Sequence, residues 1–225
     1  MSGPRKAVFF DWDGTIVDSV PALFETDRAI CETLGLPMDT AIYKRTFSPN
    51  WRRKYAAWGV RDDQLDRAVA LWAERFNSST QPLFPGVTSA LTRLAECGYV
   101  LGVVTSGDRS EIEPQFGRLG LDGLLTVGVF GDEPIPGKPA ADPLLLALRR
   151  AGVEPADVFY VGDAFDDMRM AVAAGVRGVG IESMLADANE LRAAGAAETA
   201  GSVAEWVDRL LAPKAPEPSA TEPAR

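Results

Sequence analysis

The sequence predicts an α/β fold: a parallel sheet flanked by helices, with an all-helical domain inserted into it. Three observations predict it. Five short Val- and Phe-rich runs lack the alternation of half-exposed strands, which fits strands buried on both faces. From the second run onward, helical stretches alternate with them, as in successive strand–helix–strand units. One interval, residues 20–84, carries only helical periodicity and far exceeds the dozen or so residues that a crossover needs.

The first strand is expected at residues 7–10, where an apolar run is stopped by Asp11. Helices then follow at 21–34, 40–47, 51–58 and 62–76. Phe24, Ile30 and Leu34 form one apolar stripe, and Leu65, Val69, Trp72 and Phe76 another. Asp62 is suited to N-cap the last of these helices. The segment 81–86, with Pro82, Pro85 and Gly86, reads as the return linker. Beyond it, strands are expected at 100–105, 126–130, 158–161 and 178–181, and helices at 87–97, 110–119, 143–151 and 167–174. The resulting domains are a core of residues 1–19 and 85–211 and a helical insertion of 20–84. The tail 212–225 has four prolines and no large apolar residue, so it is expected to be disordered.

Composition removes whole classes of chemistry. There is no histidine, so no Ser-His-Asp triad, no Cys-His pair and no His-ligated metal can be built. Two cysteines, Cys31 and Cys97, could make one disulfide at most and read as small core residues in a reducing compartment. The net charge is −9, which argues against non-specific binding to nucleic acid or membranes. The apolar run before Asp11 is too short for a signal peptide or a membrane span, and the chain reads as cytoplasmic. Monomer and homodimer are equally open.

Any acids, bases and ligands must therefore be mainly carboxylates, and these cluster after strands. Asp11-Trp12-Asp13-Gly14-Thr15 follows the first strand and puts two acids at the sheet edge where ligands bind. A D-x-D-G-T pattern should arise by chance in about one in a thousand chains of this length. Thr105-Ser106-Gly107 follows the second strand and can offer hydroxyl and backbone donors to a phosphate. Gly137-Lys138-Pro139 follows the third, with a lysine able to neutralise a phosphoryl oxygen and a carboxylate. Gly162-Asp163-Ala164-Phe165-Asp166-Asp167 follows the fourth. Carboxylates converging near 4 Å repel by roughly 4 kcal/mol per pair at an effective dielectric of ~20. Such a group needs a cation, and all-oxygen donors point to Mg²⁺. Asp166 also fits a helix N-terminal acid favoured by the dipole.

In this order and spacing the four motifs resemble the haloacid dehalogenase superfamily in its phosphatase branch, the phosphoglycolate phosphatase and β-phosphoglucomutase group. The resemblance runs to about Leu211. It implies a Rossmann-like sheet of order 5-4-1-2-3 and makes the insertion a cap over the active site. It implies Asp11 as the nucleophile that forms an aspartyl-phosphate, and Asp13 as general acid and then base. Thr105 and Lys138 would bind the phosphoryl group, helped by Ser106 and Gly107. Mg²⁺ would be held by Asp11, Asp163, the Asp13 position and Asp167, with Asp166 the alternative to Asp167. The substrate would be a small phosphorylated metabolite. Two motifs depart from the pattern: Lys138-Pro139-Ala140-Ala141 replaces K-P-x-P, and Thr-Ser-Gly replaces Thr-Asn-Lys, which argues against phosphoglycolate.

The alternatives are a β-phosphoglucomutase-like phosphomutase and, from another class, a phospho-receiver module. A receiver has no use for D-x-D-G-T and lacks so long an insertion. Within residues 20–84, nine basic residues face eight acids, and between Asp39 and Asp62 there are six basic residues and no acid. From that run Arg45, Arg52 and Arg53 are the candidates to reach the leaving group; otherwise the run is a solvated basic face with its aromatics packed inside.

Overall fold

The computed structural model describes residues 6–213. In chain order the α-helices and strands are β1 (Ala7–Phe10), α1 (Val20–Thr33), α2 (Thr40–Thr46), α3 (Trp51–Ala57), α4 (Leu65–Arg75), α5 (Val87–Glu96), β2 (Val100–Val104), α6 (Arg109–Arg118), β3 (Val127–Val129), α7 (Asp142–Ala151), β4 (Val158–Gly162), α8 (Phe165–Ala173), β5 (Arg177–Ile181), α9 (Ala188–Ala193), β6 (Glu198–Ala200) and α10 (Val203–Leu211). The strands form one parallel sheet in the order β3-β2-β1-β4-β5-β6. This is the expected order with one strand added beside β5.

The unbroken apolar character of β1 has a direct cause. Val8 and Phe10 point into one core layer, with Leu91, Leu94 and Trp206 of α5 and α10. Ala7 and Phe9 point into the other, with Leu144, Ala147 and Met170 of α7 and α8. All four β1 residues are buried, and each large side chain buried this way contributes roughly 1.5–3 kcal/mol.

Helices α1–α4 pack around their own cluster, which includes Ile30, Cys31, Tyr43, Tyr55, Trp58 and Ala68. Tyr43 and Trp58 stack with ring centres 5.9 Å apart. The two strands of chain that join this insertion to the sheet run side by side: Asp18 N–H donates to the Pro82 carbonyl and Phe84 N–H to that of Ile16. Asp62 does not cap α4. It opens a 3₁₀ turn, Asp62–Gln64, that leads into the helix.

Three elements, α9, β6 and α10, lie outside the expected set. The three-residue edge strand β6, with its half-buried Glu198, is too short and polar to stand out. Helix α10 carries a readable stripe of Val203, Trp206, Val207 and Leu210, and Ser202 caps it by accepting from Glu205 N–H. Of the tail expected to be disordered, residues 214–225 lie outside the described residues. Among the described residues no helix is long and apolar enough to cross a membrane.

Candidate active site

The order of strands reverses its sense between β1 and β4, and ligands of open α/β sheets bind at the carboxyl ends of strands at such a point. The motif loops after β1, β2 and β4 emerge there as neighbours. Asp11 N–H still donates to Val161 O at 2.8 Å, so Asp11 is held by the sheet ladder. The chain then turns tightly, with the Trp12 carbonyl accepting from Ile16 and Val17 N–H groups. Gly14 sits at φ +80°, and a Cβ there would lie 2.3 Å from Asp163 Oδ2. Only glycine satisfies both demands.

Lys138 crosses from the loop after β3, next to a cis Lys138–Pro139 bond. Its Nζ donates to Asp11 Oδ1 at 2.5 Å and to Asp167 Oδ1 at 2.7 Å. Asp167 is held in turn by the Tyr160 hydroxyl at 2.9 Å and Ala164 N–H at 3.1 Å. Carboxylate oxygens of Asp11, Asp163 and Asp167 lie within 4.8 Å of one another, and all three residues are buried. Asp163 Oδ2 has no hydrogen-bond partner among the described residues. A buried carboxylate oxygen left without a donor, beside two more carboxylates, is a donor set for a hard divalent cation, and the residues fit one.

The electrostatics agree. Burial pushes Asp11 up to about 7, although Lys138 pulls the other way. Burial and the charges of Asp11 and Asp167 drive Asp163 well above the usual carboxylate range. Lys138 is raised despite its burial, because Asp11 and Asp167 both favour its charged form. Asp13 does not join the three-carboxylate group. Ser19 donates to Asp13 Oδ1 at 2.5 Å, and burial raises Asp13 against that bond.

Thr105 is buried at the end of β2, with its Oγ1 accepting from Gly107 N–H at 3.1 Å. Thr105, Ser106 and Gly107 line one cavity of about 390 Å³ with Asp11, Asp13, Lys138, Asp163 and Asp167. Asp166 does not line it. It lies 3.3 Å from Arg169 and 4.0 Å from Arg53. Neither do Arg45, Arg52 and Arg53 line it. Arg45 and Arg53 border a separate hollow that shares Phe47, Ser48, Pro49 and Ala164 with the cavity, and Arg52 rests over the Trp51 ring at 4.3 Å. The basic residue from the run that reaches the cavity is Lys54, bound to the buried Asp27 at 2.8 Å. Among these residues Ser19, Tyr160 and the Lys54–Asp27 pair had no assigned role in the sequence. Ser19 was within reach, as the hydroxyl six residues beyond Asp13 in the first motif. Tyr160 was not, since inside an apolar strand it is indistinguishable from core.

The haloacid dehalogenase-like hydrolase family matches residues 8–181. The chain is 30% identical over 216 residues to the phosphoglycolate phosphatase of Chromobacterium violaceum, covering 91% of this chain and 96% of that one. It is 35% identical over 182 residues to the phosphoglycolate phosphatase of Xanthomonas campestris pv. campestris, covering 77% and 81%. A haloacid dehalogenase-like family hydrolase of Streptococcus pneumoniae shares the fold, with a TM-score of 0.79 at 23% identity over 92% of this chain and 98% of that one. With the family matched along most of its length, around the very loops that converge on Asp11, this chain is an enzyme that belongs to the haloacid dehalogenase-like hydrolases.

Proposed function

We propose that the protein is a Mg²⁺-dependent phosphatase that hydrolyses a small phosphorylated substrate through an aspartyl-phosphate on Asp11, with residues 20–84 as its cap. One observation carries the reading: Asp11, Asp13 and Lys138 border one cavity, with the Asp11 carboxylate against the Lys138 ammonium.

The Asp11 carboxylate attacks phosphorus, and the bond from phosphorus to the substrate's ester oxygen breaks. Asp13 gives that oxygen its proton, so the alcohol leaves neutral. A carboxyl raised by burial and restrained by Ser19 is suited to give and then take a proton. Asp13 next takes a proton from water, whose oxygen bonds to phosphorus as the bond between phosphorus and the Asp11 carboxylate oxygen breaks. Phosphate leaves and both aspartates return to their starting state. Lys138 neutralises charge on Asp11 and on the phosphoryl oxygens, and Thr105 with the Ser106–Gly107 turn supplies donors to them. Asp11, Asp163 and Asp167 would hold Mg²⁺, which would screen the approach of two anions.

The test is phosphate release by Asp11→Asn against the parent, with and without Mg²⁺. The variant should fold normally and lose turnover by several orders of magnitude, and chelator should silence the parent reversibly. A folded Asp11→Asn protein with near-normal turnover would sink the mechanism.

A further inference from the structure

The side of the cavity built by the insertion is largely apolar, with Ser48, Lys54 and the hydroxyls of Tyr43 and Tyr55 as its polar groups. Leu23, Phe47, Trp51, Val69, Trp72 and Phe76 border the same space as Asp11 and Thr105. Trp51 and Val69 are each 40% exposed. Among the described residues four large apolar side chains are exposed, and these two share one cavity wall. Apolar surface left open in this way is a binding surface more often than chance would have it.

Charge narrows what can lie against that wall. Two lysines line the cavity, and both are engaged: Lys138 by Asp11 and Asp167, Lys54 by Asp27. Asp108 and Glu111 add negative charge to the lining beyond the aspartates of the floor. A second anionic group on the substrate, a carboxylate or another phosphate, would meet these acids, while both lysines of the lining are already engaged and Arg52 lies over the Trp51 ring outside the lining. Arg45 and Arg53, which could have bound it, border the neighbouring hollow.

We infer that the leaving group is an uncharged, bulky apolar alcohol. The substrate class is then a phosphate monoester whose phosphoryl group meets Asp11 and whose aromatic or branched body lies against Trp51, Val69 and Trp72. The inference rests on the phosphatase reading and adds to it the part of the substrate that the insertion selects.

The experiment compares kcat/KM for 2-phenylethyl phosphate and phosphoglycolate, both esters of alkyl alcohols, in the parent and in two variants at exposed positions, Trp51→Ala and Val69→Arg. The expected preference for 2-phenylethyl phosphate is about tenfold or more, since a hydrophobic pocket discriminates on that scale. Trp51→Ala should narrow it at least about threefold by raising KM for the aromatic ester. Val69→Arg, which supplies the missing cation, should shift the preference toward phosphoglycolate. Equal or better turnover of phosphoglycolate by the parent overturns the inference and leaves the phosphatase reading standing. An unchanged preference in both variants also overturns it. No phosphate from either ester, with Asp11→Asn indistinguishable from the parent, overturns the phosphatase reading and this inference together.

Discussion

The Lys138 ammonium lies 2.5 Å from Asp11 Oδ1, tying the loop after β3 to the end of β1 across 127 positions of sequence. The same ammonium also holds Asp167, so one cation serves two buried acids. Lys138→Met would leave those acids facing each other. Breaking a buried ion pair from one side costs roughly 3–5 kcal/mol. Urea unfolding should show a loss of that order near pH 8 and a smaller one near pH 5.5, where Asp11 carries its own proton. Turnover should fall by at least about a hundredfold at either pH. A variant as stable as the parent near pH 8 would mean that Lys138 is not what holds the acids together.

The raised carboxyl of Asp11 makes stability depend on pH. Its folded value, about 7, lies above the ordinary 3.8. Between those values the folded protein binds more protons than the unfolded chain, so stability falls as pH rises through the window. Asp163 and Asp13 shift in the same direction. In chelator, the Tm should therefore rise by several degrees between about pH 7.5 and pH 5.5. Asp11→Asn should flatten that slope, which separates the effect from the general relief of a −9 net charge. Saturating Mg²⁺ should stabilise the parent more at the higher pH, where the carboxylates are ionised. Equal slopes in parent and variant would remove Asp11 from the account.

Gly14 and Asp163 occupy one small space. Gly14→Ala would place a methyl group 2.3 Å from Asp163 Oδ2 at a φ of +80°. The backbone strain alone costs roughly 1–2 kcal/mol, and Asp163 must move. The Mg²⁺ concentration for half-maximal activity should then rise about tenfold or more. An activation curve read beside a Tm in chelator distinguishes a displaced ligand from simple destabilisation. An unchanged Mg²⁺ requirement would show that Asp163 does not hold the metal.

Ser19 tunes Asp13. Its hydroxyl donates at 2.5 Å and lowers the proton affinity that burial raises. Ser19→Ala should move the acid limb of the kcat profile to higher pH, because in the second step of the proposed mechanism Asp13 must be ionised to take a proton from water. At neutral pH kcat should drop about tenfold. A limb that stays in place would assign Ser19 to packing alone.

The sheet and the strand-end residues of the candidate site were legible because both are local in sequence. Val8 and Phe10 face one layer and Ala7 and Phe9 the other, so β1 reads as a solid apolar run, and the next residue, Asp11, is where a polar group first reaches the strand end. The same holds for Thr105 after β2 and Asp163 after β4. Edge elements read less well. β6 has three residues, one of them Glu198, and carries too little apolar pattern. What lies across the sheet edge depends on three-dimensional packing. Asp166 and Asp167 are adjacent in sequence, yet only Asp167 lines the cavity; Asp166 lies beside Arg169 and Arg53. Arg52, Arg53 and Lys54 are likewise consecutive, and α3 sends only Lys54 inward, to Asp27. A helix turns about 100° per residue, so neighbours in a charged run point to different sides. Which side faces the cavity is decided by how Tyr43, Tyr55 and Trp58 pack the insertion, and that packing is a property of the folded chain.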